Sequence, residues 1–245
     1  MGGHMHETES IPKSEEALQR LQDAILFEDS RFLILNKPSG MAAHGGSGVS
    51  FGVIEGLRAL RPDAPYLELA HRLDRDTSGC LVIAKRRSAL RAFQKQQQER
   101  QVTKCYLTLL KGKWQGGKRK INAPLLKTEP KPGERIVRVD PKGKHAISLF
   151  TPVQKFTQAT LMRVKLITGR THQIRVHARH TGHPVAGDTK YGDDFFNRNM
   201  AAMGLERLYL HAESISFTLP DVGSYDVQAP MDSGLELLLS KLDRI

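Results

Sequence analysis

Short apolar runs separated by charged or glycine-rich segments recur along most of the chain and predict a protein rich in β-strands. Ile25–Phe27 and Phe32–Asn36 flank the polar residues 28–31, which is the pattern of a hairpin. Tyr66–Ala70 and Cys80–Ala84 flank a charged segment in the same way. Further predicted strands are Val102–Leu110, short strands between 112 and 143, two strands within Ala146–Thr168, Leu208–Phe217 and Tyr225–Gln228.

Apolar residues at helical spacing predict five helices between or after these strands. In the first helix Ser14 is the expected N-cap, and Leu18, Leu21 and Ile25 share one face. The others are expected at about 50–60 before Pro62, at 88–98 with Ser88 as cap, at 171–180 with Thr171 as cap, and after a Ser233 cap. Mostly antiparallel strands with helices on the outside predict an α+β domain.

Residues 71–79, called the charged loop below, place two carboxylates and two guanidiniums between two apolar runs. Polar loops at the ends of buried strands often carry the chemistry of a protein. The arginines favour the ionised form of Asp74, which can then serve as a nucleophile or base near neutral pH. Asp76 is expected to point to the other side of an extended loop and to brace it as a hydrogen-bond acceptor. The alternative is a solvated turn with incidental charges, and the spacing alone does not decide between them.

The chain of 245 residues has a net charge of +11, from 37 Lys and Arg against 26 Asp and Glu. This excess favours a polyanionic partner, either a nucleic acid or an anionic membrane. No apolar run approaches the ~20 residues that a membrane-spanning helix needs, so a nucleic acid is favoured. The basic clusters are Lys85–Arg87, Lys111–Lys113, Lys118–Lys120, and Lys142 with Lys144.

Neither a metal nor a nucleotide cofactor is expected. Cys80 and Cys105 lie in apolar strand patterns, which excludes a disulfide framework and is typical of reduced thiols in a cytoplasmic protein. Gly40–Gly48 lacks the Lys-Ser/Thr ending of a phosphate-binding loop and the dinucleotide-binding spacing. Four histidines lack neighbouring Cys or Glu at ligand spacing: His172, His177, His180 and His183.

Five further segments follow one another in order with the charged loop along almost the whole chain. They are Asn36–Gly40, Lys104–Tyr106, Thr168–His177, Gly187–Asp188 with Tyr191–Gly192, and Leu210–Ala212. Together the six segments resemble those of the RNA pseudouridine synthases of the large ribosomal-subunit type. The run His44–Gly48, followed by Phe51–Glu55, is further similar to one particular member of that family.

The resemblance implies a pseudouridine synthase fold: a long, mixed, mostly antiparallel sheet in two halves, with helices outside and a central RNA-binding cleft. It implies an isomerase that converts specific uridines of 23S ribosomal RNA into pseudouridine without a cofactor. Such a protein is expected to be cytoplasmic and monomeric. The target uridine must leave its stack in the RNA, because a stacked base exposes neither reacting carbon.

Three catalytic residues follow from the resemblance. Asp74 is the expected carboxylate at the ribose, either as nucleophile or as base. Arg175 is its expected ion-pair partner, because a guanidinium keeps a partly buried carboxylate charged and can hold it in a bidentate fork. Tyr106 is expected to stack its ring on the uracil, with its hydroxyl near C5. Position alone favours a surface arginine and a core tyrosine for the last two.

Other basic residues are expected to bind the RNA. Arg72 resembles the family arginine that fills the space left by the extruded nucleotide, with a second salt bridge inside the loop as the alternative. Lys37, Arg170 and the loop Gly112–Lys120 are expected to meet phosphates. Lys37-Pro38 can instead simply end a strand.

Two other functions compete with this hypothesis. A glycoside hydrolase or ribosyl transferase would also use an aspartate at an anomeric carbon, but hydrolases usually pair it with a protonated carboxylic acid. The arginine-rich loop offers no such acid. A non-catalytic RNA-binding protein with a degenerate site is disfavoured by the intact Asp74, Tyr106 and Arg175.

The domain boundaries are also predicted. Residues 1–12, which open with Met1–Met5, are expected to be a tag and linker. Residues 13–245 are expected to form the catalytic domain. Relatives usually carry a small S4-like RNA-binding domain before it, and that domain is expected to be missing from this chain.

Overall fold

The computed structural model describes residues 11–46 and 51–245, which form six helices and twelve strands. The predicted tag and linker therefore lie almost wholly outside the described residues, as does the predicted helix start at Ser50. The first helix begins at Ile11, so the expected N-cap at Ser14 is wrong, and the Ser14 side chain is outside the described part.

Ten strands form one long sheet and two form a separate ribbon. The strands are β1 Ile25–Glu28, β2 Phe32–Lys37, β3 Glu68–Leu69, β4 Ser78–Ala84, β5 Thr103–Lys111, β6 Arg119–Asn122, β7 Leu125–Lys131, β8 Glu134–Val139, β9 Ile147–Lys155, β10 Ala159–Leu166, β11 Leu210–Leu219 and β12 Gly223–Gln228. The long sheet has the order β1-β2-β4-β11-β5-β10-β9-β6, with β3 beside β4 and β12 beside β11. β7 and β8 form the ribbon.

The middle of the sheet is a parallel step between otherwise antiparallel pairs. β4, buried along its whole length, pairs in parallel with β11, so that Ser78 lies opposite His211. β11 pairs antiparallel with β5, where Leu107 is the partner of His211. The charged loop, which runs into β4, and the middle of β5 therefore meet at the same part of the sheet.

Helices flank the sheet. They are α1 Ile11–Asp23, α2 Val53–Leu60, α3 Arg87–Gln98, α4 Gln173–His180, α5 Asp194–Ala202 and α6 Ser233–Lys241. The predicted α+β class and the long mixed sheet are confirmed. No helix in the described part of the chain has the length and apolarity required to cross a membrane.

Several details of the helices differ from the prediction. Ser88 does not cap α3, whose N-cap is Arg86 and has no side-chain cap. Thr171 does not cap α4, whose N-cap is His172 in a left-handed conformation without a side-chain cap. Asp232 caps α6 by accepting a hydrogen bond from the Leu235 N–H, so the predicted Ser233 is the first helical residue. α5 was not predicted, because its two phenylalanines do not repeat at helical spacing; Asp193 caps it through the Phe196 N–H.

The β7–β8 ribbon packs against α4. Val137 of β8 and Val176 of α4 share a small apolar cluster with Tyr191. Two polar contacts reinforce this cluster: the Val137 N–H donates to the Tyr191 hydroxyl at 3.0 Å, and Lys190 Nζ donates to the Arg135 carbonyl at 2.8 Å. The ribbon is therefore attached to the segment that precedes α5.

Gly79 tests how closely the central strands approach. Its φ is +107°, and a Cβ at this position would lie 2.2 Å from the Ala212 carbonyl oxygen. Gly79→Ala is expected to lower the free energy of unfolding by roughly 3 kcal/mol or more, because backbone rather than a flexible side chain must move. Urea denaturation measures the change. Gly117→Ala, which has open space around it and no positive φ, is the control and should change stability by less than about 1 kcal/mol.

Candidate active site

Asp74 lies in the charged loop at the point where the chain turns into β4. The Leu73 side chain before it is buried, whereas the Asp74 side chain is 34 % exposed. The Thr77 N–H donates to the Asp74 carbonyl at 3.1 Å, which closes the turn. The loop thus anchors one residue in the core and presents the next to solvent.

Lys37 supports this loop from inside the protein. Its ammonium is fully buried and donates to three main-chain carbonyls, those of Pro38 at 2.8 Å, Met41 at 2.8 Å and Arg75 at 2.9 Å. Burial lowers the pKa of Lys37 to about 7. The expectation that Lys37 meets RNA phosphates is wrong, because all three ammonium protons point at buried carbonyls.

Main-chain groups complete the attachment of the charged loop to residues 38–41. Gly40 and Arg75 bind each other twice: the Gly40 N–H donates to the Arg75 carbonyl at 2.9 Å, and Arg75 Nε donates to the Gly40 carbonyl at 3.0 Å. Ser39 Oγ donates to the carbonyl of Asp76 at 2.8 Å. Asp76 therefore braces the loop as predicted, but through its carbonyl rather than its carboxylate.

Arg175 comes from α4 and stands between two carboxylates. Its Nη1 lies 3.7 Å from Asp74 Oδ2, so the two predicted partners are brought together. The bidentate fork, however, goes to Asp188: Nε donates to Oδ2 at 2.7 Å and Nη2 to Oδ1 at 2.9 Å. The prediction of a bidentate fork onto Asp74 is wrong. The fork goes to Asp188 because its side chain is fully buried, and a buried carboxylate without a cationic partner is strongly destabilising.

Asp188 keeps the charge of this pair in place. Burial raises its pKa, but the hydrogen bonds and charge of Arg175 outweigh burial and lower the pKa below its usual value. The main-chain N–H groups of Lys190 and Tyr191 also donate to Asp188 Oδ1, both at 2.9 Å. The Tyr191 ring lies 5.0 Å from the Arg175 guanidinium carbon, so the guanidinium is held on two sides.

Tyr106 reaches the same region from β5. The side chain is buried, and burial, followed by the negative charge of Asp74, raises its pKa. The phenol is therefore neutral at neutral pH, and its ring is close enough to Asp74 for the carboxylate to act on it.

Two further residues of the site had no predicted role. His172 Nε2 lies 3.9 Å from Asp74 Oδ2, and its Nδ1 lies 2.7 Å from the Tyr191 hydroxyl. Both residues belong to segments that carried the family resemblance, but a histidine at a helix start and a tyrosine after a turn have no distinctive spacing. The left-handed φ of 54° at His172 is visible only in the structure.

The other predicted RNA-binding residues lie at the surface. Arg72 is exposed and makes no hydrogen bond or ion pair with any residue that the structure describes, so the alternative of a salt bridge within the loop is not seen. Arg170 is exposed, with Nε donating to the His145 carbonyl at 3.1 Å. In the loop 112–120, Arg119 covers the buried Trp114 ring at 4.4 Å.

A cavity of about 630 Å³ opens beside the charged loop. Residues 36–40 and Asp76 form one wall, and the Arg175–Asp188 pair forms another. Arg207 also lines it and donates to Ser78 Oγ at 2.8 Å. Open space therefore reaches the charged pair that stands beside Asp74.

The cysteines and histidines show no arrangement for metal binding among the described residues, where no group of three or more potential ligands comes together. Cys80 is buried, Cys105 is partly buried, and both are free thiols. His177 is held by Ser148 Oγ and by the Ala123 carbonyl, each at 2.9 Å from a ring nitrogen. Its two nitrogens therefore serve the fold.

Comparison with known proteins identifies the family. Residues 31–180 match the family model described as RNA pseudouridylate synthase. The chain belongs to this family. It is an isomerase of the pseudouridine synthase type.

Several relatives in the family are close. The chain is 52 % identical over 239 residues to the ribosomal large subunit pseudouridine synthase C of Escherichia coli, covering 96 % of this chain and 75 % of the relative. The protein of the same name from Pasteurella multocida is 53 % identical over 226 residues, covering 92 % and 69 %. This C type is the member that the run His44–Gly48 indicated, so the expected resemblance is confirmed.

Solved structures have the same fold. Human RNA pseudouridylate synthase domain containing 1 matches with a TM-score of 0.75 at 25 % identity, covering 91 % of this chain and 88 % of that one. Human RNA pseudouridylate synthase domain containing 4 matches with a TM-score of 0.76 at 23 % identity, covering 94 % and 98 %. The predicted pseudouridine synthase fold is confirmed.

Removing the Lys37 ammonium tests the attachment of the loop. Lys37→Met is expected to lower the free energy of unfolding by roughly 2–4 kcal/mol, because three buried carbonyls lose their donor. Amide hydrogen exchange at Gly40, whose N–H binds the Arg75 carbonyl, should accelerate more than exchange in β4. The control is Lys127→Met at an exposed lysine. Equal effects of the two substitutions would contradict the bracing role of Lys37.

Removing the Asp188 charge tests the buried ion pair. Asp188→Asn is expected to cost about 3–5 kcal/mol of stability at pH 7, because Arg175 keeps a buried charge without a partner. The folded-state pKa of Asp188 is lowered, so its contribution is present above the ordinary value of about 4 and is lost as the pH falls below it. The stability difference between the two proteins should therefore shrink in acid. Asp226→Asn at an exposed carboxylate is the control, and a difference that stays constant down to pH 2 would contradict the prediction.

Proposed function

We propose that this chain converts uridines of large-subunit ribosomal RNA, the 23S RNA, into pseudouridine without a cofactor. The names of the relatives support this RNA class, because the matched regions cover more than nine-tenths of this chain. The net charge of +11 supports a polyanionic substrate.

One observation supports the proposed chemistry most directly. The Asp74 carboxylate is part-exposed at the end of a rigidly attached loop, and its Oδ2 lies 3.7 Å from a guanidinium that Asp188 holds in place. The guanidinium places a positive charge beside Oδ2, and the exposed part of the Asp74 side chain leaves room for a sugar. A solvated turn with incidental charges does not require a buried partner pair behind it.

The reaction breaks the N1–C1′ bond of uridine, rotates the uracil and forms a C5–C1′ bond. N1 takes up one proton and C5 loses one, so that the product is an isomer of the substrate. We assign Asp74 to the ribose, as a nucleophile at C1′ or as a base. Arg175 places a fixed positive charge beside this carboxylate while the bond breaks.

Tyr106 is assigned to the base. Burial and the charge of Asp74 raise its pKa, so the phenol stays protonated at neutral pH and is not ready to accept a proton, whereas its ring is suited to stacking on uracil. The hydroxyl lies near C5 in this arrangement only if the base lies flat on the ring.

RNA binding is assigned to the exposed arginines. Arg72 stands in the charged loop, two residues from Asp74, and has no partner among the described residues, which suits a side chain that enters the space of the extruded uridine. Arg170 lies at the start of the turn that leads to α4 and is suited to a phosphate.

A glycoside hydrolase is the competing enzyme class. It would need a second carboxyl group that stays protonated, but the carboxyl group that shares Arg175 with Asp74 is that of Asp188, whose pKa is lowered. This observation favours the isomerase.

The cellular setting and the domain organisation are also proposals. Residues 13–245 are assigned to one catalytic domain, because ten of the twelve strands, including the first and the last, belong to one sheet. Free thiols in the described strands support a cytoplasmic location. We propose a monomer.

The test uses large-subunit ribosomal RNA labelled with 5-tritiated uridine. Asp74→Asn is expected to reduce the rate of tritium release by roughly 10³-fold or more, because the carboxylate acts on the reacting carbon. The dissociation constant for the RNA should stay within about threefold of the wild-type value, because Asp74 contributes charge to the reaction rather than to phosphate binding. Asp63→Asn, at an exposed aspartate outside the charged loop, is the matched control.

Each outcome has a definite meaning. Tritium release that is abolished in Asp74→Asn and retained in the control supports the proposal. Release of free uracil from the RNA by the wild-type protein would support a hydrolase instead. Unchanged tritium release by Asp74→Asn would remove Asp74 from the chemistry.

A further inference from the structure

His172 approaches the same oxygen of Asp74 as Arg175 does. Its Nε2 lies 3.9 Å from Asp74 Oδ2, and Arg175 Nη1 lies 3.7 Å from that oxygen. Both groups therefore make their shortest approach to Oδ2. An arrangement of this kind fixes which oxygen of the carboxylate faces outward.

The hydrogen bonds around Tyr191 determine where the proton of the His172 ring lies. The Tyr191 oxygen accepts the Val137 N–H at 3.0 Å and lies 2.7 Å from His172 Nδ1. In the described part of the chain, the phenol hydrogen has no acceptor other than Nδ1. The phenol therefore donates to Nδ1, and a neutral imidazole carries its proton on Nε2, directed at Asp74.

The ring is held neutral in spite of two nearby carboxylates. Burial lowers the pKa of His172, and the charges of Arg175 and Lys190 act in the same direction. Asp74 and Asp188 act in the opposite direction but do not outweigh them. A neutral Nε2–H donor can orient a carboxylate and leave its negative charge in place. A positively charged imidazolium would instead form an ion pair that offsets this negative charge.

The backbone at His172 is in a conformation that histidine rarely adopts. Its φ is 54°, in the left-handed region, where a side chain other than that of glycine is strained. Gln173 holds the turn in this conformation by accepting from the Arg170 N–H at 3.0 Å and from Thr168 Oγ1 at 2.8 Å. Strain of this kind concentrates at functional sites, and here it aims the ring at Asp74.

We propose that His172 is a positioning residue for the isomerisation, whose Nε2–H fixes the rotamer of Asp74 so that Oδ1 faces the ribose. Tyr191 acts through His172 by selecting its tautomer. Nε2 closes to hydrogen-bond distance when the RNA is bound, as contacts in a substrate-free site commonly do. This inference rests on the proposed function.

The experiment measures single-turnover tritium release with enzyme in excess over the RNA. His172→Ala is expected to slow the step by about 10- to 100-fold, the loss expected for one hydrogen bond to a charged group, with RNA affinity within about threefold. His172→Gln, whose amide nitrogen can take the place of Nε2, should recover the rate to within about fivefold of wild type.

Tyr191→Phe removes only the hydroxyl and tests the choice of tautomer. It is expected to slow the wild-type reaction by about tenfold but to add less than about threefold in the His172→Gln background, where no tautomer needs to be selected. Nitrogen-15 spectra of labelled histidine should assign the proton of His172 to Nε2 in the wild-type protein. In Tyr191→Phe the spectra should show a mixture of both tautomers.

The outcomes separate this inference from the function on which it rests. A wild-type protein that releases no tritium from the RNA contradicts the proposed function. An active wild-type protein with an equally active His172→Ala variant overturns only the role of His172. Equal losses in His172→Ala and His172→Gln, or a proton on Nδ1 in the wild-type spectrum, also overturn it.

Discussion

The site depends on a guanidinium that is shared unequally between two carboxylates. Arg175 gives its fork to the buried Asp188 and only one edge, at 3.7 Å, to Asp74. A bidentate pair in direct contact would occupy both oxygens of Asp74. Because the fork is occupied elsewhere, Asp74 has a cation nearby while its carboxylate remains available.

The same principle explains the second buried cation. Lys37 donates three hydrogen bonds to main-chain carbonyls, one of which belongs to Arg75 in the charged loop. Arg175 and Lys37 therefore hold different parts of the loop. Arg175 approaches the carboxylate of Asp74, and Lys37 binds the backbone of the next residue. The long basic side chains of Lys37 and Arg175 thus help to hold the short side chain of Asp74 in position.

Local patterns in the sequence predict the strands and the charged loop, because these depend mainly on neighbouring residues. Strands such as β2 and β4 follow from continuous apolar runs, and the charged loop between two of them indicated Asp74. Pairing of Asp74 with Arg175, a hundred residues away, followed from family resemblance rather than from periodicity. The group that a long cationic side chain binds depends on the tertiary structure. The sequence therefore predicts neither the main-chain acceptors of Lys37 nor the pairing of Arg175 with Asp188.

The contacts that hold the charged loop to its neighbour all have a main-chain carbonyl as the acceptor. Pro38, Met41 and Arg75 offer carbonyls to Lys37, and Gly40 exchanges its own main-chain groups with Arg75. A main-chain carbonyl is present whatever side chain its residue carries. A position such as Met41 can therefore be substituted without loss of its hydrogen bond to Lys37. Mutational tolerance in this segment is therefore expected to be high at an acceptor such as Met41 and low at Lys37, which donates three of these bonds.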